Sequence, residues 1–252
     1  MITLRNQLYR WMKSEHIVQW QVTRVAQNTR HDQDVIDDFV SYVNEQIACL
    51  GVPGSHIVNI DKTNIDFDMV SGITLANRGS RTVSVKKLGS NGRCTVLLGM
   101  TLSGEKLPPL IIFKGKPNGR ICREWTGPSS PYPRSGVYAV QHNAWIDRSV
   151  FMMWIEKVWK QFCIGKESTY LLMDKCSVHM CGECVQQIQS YGTDVEFITG
   201  GYTGKLQVLD VGINRPFKVF VREQYEQFMS QNEQKSTRLD VAQWVAFAWD
   251  KN

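Results

Sequence analysis

The sequence predicts a mixed α/β fold with helical extensions at its N- and C-terminal ends. Three features of its patterning carry that prediction. Helical periodicity fills residues 1–50, short β-branched apolar runs separated by turn residues follow, and from Asp147 onward strand and helix patterns alternate. In the first stretch Leu4, Leu8, Trp11 and Met12 recur at spacings of three to four, and so do Val35, Phe39, Val43, Ile47 and Leu50. Gly51-Val52-Pro53-Gly54 then breaks the pattern, which divides a helical segment (1–51) from an α/β domain (52–252).

Within the second segment HIVNI reads as the first strand, RTVSVKK alternates, RCTVLLGMTL is a longer strand and LPPLIIFKG a further one. The intervening NRGS, LGSNG and SGEK have hairpin-turn chemistry. Residues 114–143 are rich in Gly, Pro and Ser and predict a long loop that contains one short strand, VYAVQ. Asp147 is placed to cap a helix whose apolar stripe is Val150, Phe151, Trp154, Val158 and Trp159. TYLLMD is a strand, CVQQIQSYG a helix closed by Gly192, VEFIT a strand and KLQVLD a short one. A helix from Ile213 to Ser230 tolerates Pro216 in its first turn, and LDVAQWVAFAWDK is the last helix. Antiparallel strands, a helix, then alternating strands and helices is the order of a ribonuclease-H-like mixed sheet flanked by helices.

Three aspartates stand in distinctive settings. Asp61 follows IVNI and Asp174 follows TYLLM, so each ends an apolar run, whereas Asp210 sits where KLQVL gives way to a helical pattern. A carboxylate at the end of a buried strand is costly unless it is paired or binds a metal. Three such groups brought together repel one another unless divalent cations neutralise them, which is the pattern of a two-metal phosphoryl-transfer site. Asp66 and Asp68 compete for the first ligand position but lie five and seven residues further on, towards a turn. The alternative for any single Asp is a helix cap or a turn.

At these residues the chain resembles the pogo and jerky branch of the mariner-like transposases. NIDKTNIDFD resembles the first catalytic block of that family and LLMDKCSVH the second, with a His five residues after the Asp. GYTGKLQVLDVGINRPFK is similar to the third, and the 35 residues between Asp174 and Asp210 fit the spacing of that branch. The likeness runs from about Val52 to Arg222. It implies a catalytic and metal-binding triad of Asp61, Asp174 and Asp210, two Mg²⁺ or Mn²⁺ ions, cleavage and strand transfer at DNA phosphodiesters, a possible homodimer and a nuclear location. Lys62 stands where the family usually has Glu or Gln; on a strand it should face away from Asp61. His179 is expected beside the active site or on a DNA phosphate. Lys218, eight residues past Asp210 on the same helix, is expected to contact a DNA phosphate. Family members carry helix-turn-helix modules upstream and continue past the last helix, so the chain is expected to be a fragment or relic of a transposon-encoded protein. The rival readings are a catalytically inactive, domesticated DNA-binding protein resembling centromere-binding protein B, and a ribonuclease-H-like nuclease without transposition.

Composition narrows the class without choosing a function. A net charge of +5, from 29 basic and 24 acidic residues, is compatible with a polyanionic partner. No apolar run reaches 18 residues, so no membrane span is expected. Seven cysteines, an odd number, with Cys49, Cys94 and Cys163 in apolar segments, predict reduced thiols in a cytosolic or nuclear protein. Cys176, His179, Cys181 and Cys184 have a composition suited to zinc, yet their spacing lacks the long excursion between ligand pairs, and the expectation is a metal-free cluster. Lys114, Lys116, Arg120 and Arg123 lie in the long loop, as phosphate contacts or as a solvated surface.

Overall fold

The computed structural model describes residues 30–69, 92–232 and 234–252. The helical repeat at Leu4, Leu8, Trp11 and Met12, and the RTVSVKK strand with its turns, lie outside the described residues. The chain divides into compact units at Met1–Val35 and Ile36–Asn252, upstream of the break expected at Gly51. Of the first unit only the start of helix α1 (Arg30–Leu50) is described. In the second, the rest of α1 packs Phe39, Val43 and Ile47 against Val52, Ile57 and Tyr170, which is why the boundary precedes the glycine-proline break. Leu50, the last residue of the expected stripe, is exposed.

Among the described residues six strands form one sheet in the order β4-β3-β2-β1-β5-β6: β1 (Ile57–Asp66), β2 (Arg93–Thr101), β3 (Leu110–Lys114), β4 (Val137–Gln141), β5 (Thr169–Asp174) and β6 (Thr193–Ile198). β1, β2 and β3 pair antiparallel in turn, whereas β5 runs parallel to both β1 and β6. VYAVQ is the short strand expected within the long loop, and as β4 it extends the main sheet parallel to β3, so Asp174 lies on the fifth of the described strands. A parallel neighbour requires a crossover. Here the crossover is filled by its own aromatic cluster: Trp125 packs on Phe113, Tyr132 and Tyr138, and Glu124 takes hydrogen bonds from Tyr132 and Arg238.

Helices cover both faces of the sheet. On one face Val58, Ile60, Leu97, Ile112 and Leu171 meet the helix α2 (Arg148–Trp154) and its continuation through a π-helical turn, Ile155–Trp159, into α3 (Lys160–Cys163). Asp147 caps α2 by accepting the Val150 N–H at 3.0 Å. Helix α4 (Gly182–Gln189) adds Cys184 and Ile188 to the same core. On the other face Ile65, Val96, Leu98 and Ile111 meet α6 (Asn214–Gln231) and α7 (Arg238–Lys251). A capping box of Thr237 and Asp240 starts α7. No helix among the described residues is long and apolar enough to cross a membrane.

KLQVLD is not a strand. It forms one turn of helix, α5 (Thr203–Leu206), and then a π-helical turn, Leu209–Ile213. The physical reason is that β1 already has β2 on one side and β5 on the other, so no edge beside it is free for a further strand. Side chains make the join instead. Gln207, wholly buried, donates to the Ile60 carbonyl at 2.6 Å. Asn59 donates to the Leu172 carbonyl at 3.0 Å and accepts the Leu209 N–H at 3.2 Å. One Asn thus links β1, β5 and the turn that carries Asp210.

Replacing Asn59 by Leu keeps the volume but strands the Leu209 N–H and the Leu172 carbonyl in the interior. The expected loss is about 1–3 kcal/mol in urea-induced unfolding. A loss below about 0.5 kcal/mol would mean that this bridge does not hold the segment to the sheet.

Candidate active site

β1 and β5 pair in parallel up to Asn59 and Leu172. Two residues beyond that register the strands carry Asp61 and Asp174, which brings the two acids onto neighbouring strands. Asp61 is only 6% exposed and shares its face of β1 with Asn59. Asp210 reaches it from the π-helical turn. Asn214, at the first position of α6, donates to both: its amide nitrogen is 2.6 Å from Asp61 Oδ2 and 2.9 Å from Asp210 Oδ1. The Asn214 side-chain oxygen, Oδ1, is buried and has no hydrogen-bond partner among the described residues. Burial, and then the charge of Asp210, push the Asp61 carboxyl up to about 7, against the opposing pull of Asn214.

Asp174 has a different environment. Lys62 faces away from Asp61, as alternation requires, and its ammonium lies 3.0 Å from Asp174 Oδ2. His179 Nδ1 lies 2.6 Å from Asp174 Oδ1 and 3.2 Å from the Asp174 carbonyl. The Oδ1 contact is one of proximity, because that oxygen has no well-aligned hydrogen bond. Burial raises the Asp174 carboxyl, but His179 and Lys62 outweigh it and hold it well below the usual range. Burial lowers His179, yet its contacts with Asp174 and Cys176 carry it up to about 9. The site therefore has two halves. Asp61 and Asp210 share excess negative charge, while Asp174 already has cationic partners.

The other expected residues fall as follows. His179 is wholly buried against the Phe151 ring, 4.9 Å between centroids, so it positions Asp174 and is not available to a DNA phosphate. Lys218 is exposed on α6, but the π-helical turn between it and Asp210 breaks the simple helical phase relating the two. Asp66 ends β1 and Asp68 accepts from Tyr225 at 2.7 Å, so neither joins the site. Among the described residues, the Cys, His, Asp and Glu ligand atoms that gather within 4.8 Å are those of Asp174, Cys176 and His179. The four-residue Cys176, His179, Cys181 and Cys184 set does not assemble, because Cys184 is buried in the core and Cys181 lies against it. Sequence reasoning missed Asn214, Asn59 and Gln207. Asn214 had a signal, four residues after Asp210 at the start of a helix; the other two are visible only as partners across the fold.

A cleft of about 440 Å³ opens beside this cluster, lined among others by Lys62, Arg93, Thr95, Trp145 and Cys176. Arg93 and Trp145 are exposed, so the cleft presents positive charge and an aromatic face to solvent.

The chain is similar to proteins derived from transposable elements. Human "Pogo transposable element with KRAB domain" is 26% identical over 233 residues, covering 86% of this chain and 37% of that protein. Mouse "Tigger transposable element-derived protein 4" is 30% identical over 125 residues, covering 49% of this chain and 23% of that protein. The chain thus spans little more than a third of the pogo relatives it matches. Among solved structures, the Mos1 transposase paired-end complex with left transposon end has a TM-score of 0.56 at 8% identity, covering 98% of this chain and 69% of that one. The Mos1 mariner paired end complex with Mn also scores 0.56, at 9% identity, covering 97% and 68%. These likenesses establish the ribonuclease-H-like fold of a mixed sheet flanked by helices. The DDE superfamily endonuclease family matches residues 91–252, which include Asp174 and Asp210 and begin after Asp61. With well over half of its length matched, the chain belongs to the DDE superfamily endonuclease family.

Proposed function

We propose that this domain cleaves DNA phosphodiester bonds, and transfers the resulting strand ends, using divalent cations held by Asp61, Asp174 and Asp210. The observation that carries this reading is the buried Asp61 carboxylate joined to Asp210 through Asn214. Two carboxylates converge there, and this oxygen donor set fits Mg²⁺ or Mn²⁺. When bound, such an ion lowers the pKa of a water and offsets the charge that develops on the leaving oxygen. Asp61, Asp210 and Asp174 would hold the ions when bound.

The chain's own residues have separate tasks in this scheme. Asn214 sets the separation of Asp61 and Asp210, and Asn59 and Gln207 hold the segment that bears Asp210 against β1. His179, immobilised in the core, fixes the orientation of Asp174. Lys62 pairs with Asp174, so an ion held by that carboxylate would share it with a resident ammonium. Arg93 and Trp145 at the cleft are suited to a phosphate and a base face of the strand being cut. The names of the Mos1 structures speak of paired transposon ends and of a strand transfer complex. They support DNA as the partner and a dimeric assembly for this domain as well; a nuclear site of action belongs to the proposal alone.

Without metal, the folded state should grow less stable as pH rises. Asp61 is held up to about 7 when folded, against 3.8 for a free carboxyl, so its proton favours folding. That contribution is complete below the lower value and is lost as pH climbs through the upper one, a decrease on the order of a few kcal/mol. Mn²⁺ should restore the loss and raise the melting temperature at pH 8. Asp61→Asn should flatten the pH profile and abolish the Mn²⁺ shift. An unchanged shift in that variant would remove Asp61 from the metal site.

Lys62→Met keeps the length of the side chain, deletes its charge and adds no oxygen ligand. Calorimetric titration should give about tenfold tighter Mn²⁺ binding, since a like charge leaves the neighbourhood of the ion. Affinity equal to that of the parent chain would mean that Lys62 does not compete for Asp174.

At high protein concentration, Mn²⁺-dependent nicking of supercoiled plasmid should be detectable and should vanish in Asp174→Ala. Nicking that survives this change would point to another active site, and its absence from the parent chain would favour a DNA-binding domain without catalysis.

A further inference from the structure

Cys176 has no task in the scheme above, yet its thiol stands with Asp174 and His179 in one cluster of ligand atoms. We propose that Asp174 Oδ1, Cys176 Sγ and His179 Nδ1 form a separate binding site for a thiophilic dication, with Zn²⁺ as the occupant. Their ligand atoms already lie within 4.8 Å of one another. Tetrahedral zinc with bonds of about 2.0–2.3 Å needs ligand atoms roughly 3.3–3.8 Å apart, so small side-chain rotations suffice.

Four further observations bear on this assignment. Asp174 Oδ1 is buried without a well-formed hydrogen bond, whereas Oδ2 is taken by Lys62. Oδ1 faces His179 Nδ1 at 2.6 Å, so an ion entering between them would take both as ligands while Oδ2 keeps an outer partner, as ligating carboxylates commonly do. His179 is fixed by burial and by the Phe151 ring, which pre-orients its nitrogen. Cys176 borders the 440 Å³ cleft, which supplies an entry path for an ion. The donor set of carboxylate, thiolate and imidazole matches a borderline-soft cation, and Mg²⁺ gains nothing from the sulfur. On binding, the Cys176 thiol proton and the Nδ1 proton leave to solvent, and the two anionic ligands balance the charge of the ion.

The site uses two members of the Cys176, His179, Cys181 and Cys184 cluster together with Asp174. Because Asp174 belongs to both sites, zinc would withdraw it from the Asp61 and Asp210 set and inhibit cleavage. That consequence rests on the proposed DNA cleavage, but zinc binding itself does not.

Co²⁺ titration of the intact chain tests the proposal, because a cobalt–thiolate bond gives a near-ultraviolet charge-transfer band. One Co²⁺ per chain should produce the band, Zn²⁺ should displace it, and Cys176→Ser should abolish it. His179→Gln should weaken binding by about tenfold or more. Cys181→Ser and Asp61→Asn should leave the band intact. If His179→Gln does not fold, Cys176→Ser decides alone, since that side chain is only partly buried. Absence of the band, or its loss in Cys181→Ser but not in Cys176→Ser, would overturn the assignment. The Mn²⁺ melting shift that depends on Asp61 reports the other site. A chain with that shift and no cobalt band refutes only the zinc site, and a chain with the band and no shift refutes only the Asp61 and Asp210 metal reading.

Discussion

Parallel pairing of β1 with β5 is the contact on which the candidate site depends, because it aligns two strands that lie far apart in sequence. Val58, Ile60, Leu171 and Met173 are wholly buried on these strands, so a slip of one residue would turn apolar side chains out of the core. The same register that satisfies the core carries Asp61 and Asp174 on neighbouring strands, each two residues past the last paired position. It also turns Asp61 and Lys62 to opposite faces. Asp61 therefore meets Asp210 and Asn214, which arrive with the π-helical turn and α6, and Lys62 is left to meet Asp174.

Two different solutions to buried negative charge follow from that separation. At Asp61 no side-chain cation among the described residues compensates, and the carboxyl answers by holding its proton more tightly, with Asn214 offsetting part of the repulsion from Asp210. At Asp174 an ammonium and an imidazole stand against the carboxylate, which stays ionised. A group of the first kind favours an incoming divalent ion, while one of the second kind must exchange or share its partners. The Lys in place of the Glu or Gln expected at position 62 thus alters the charge balance of the second acid, although it lies next to the first in sequence.

The buried polar bridge explains how a weakly structured segment carries the third acid accurately. Residues 199–213 contain only short helical turns, and Asp210 itself is exposed. Gln207 and Asn59 tie this segment to β1 and β5 by hydrogen bonds inside the protein, where unmade bonds are expensive. The π-helical turn then presents Asp210 and Asn214 to the same carboxylate.

Local chemistry by itself determined much of this protein. Apolar runs marked β1, β3, β5 and β6, Asp147 announced the start of α2, Gly192 takes the positive φ expected of a helix-closing glycine, and the three aspartates stood out by their settings. These features depend on neighbours within a few residues, which is why they are legible. Tertiary structure decided what depends on partners. VYAVQ became an edge strand because β3 offered an unpaired side. KLQVLD became helical turns because β1 offered none. Lys62 became the partner of Asp174, and Asn214 the link between Asp61 and Asp210. Periodicity tells which face a side chain takes, but only the packed chain fixes which charge lies opposite it, because Coulomb and hydrogen-bond energies depend on distances between residues more than a hundred positions apart.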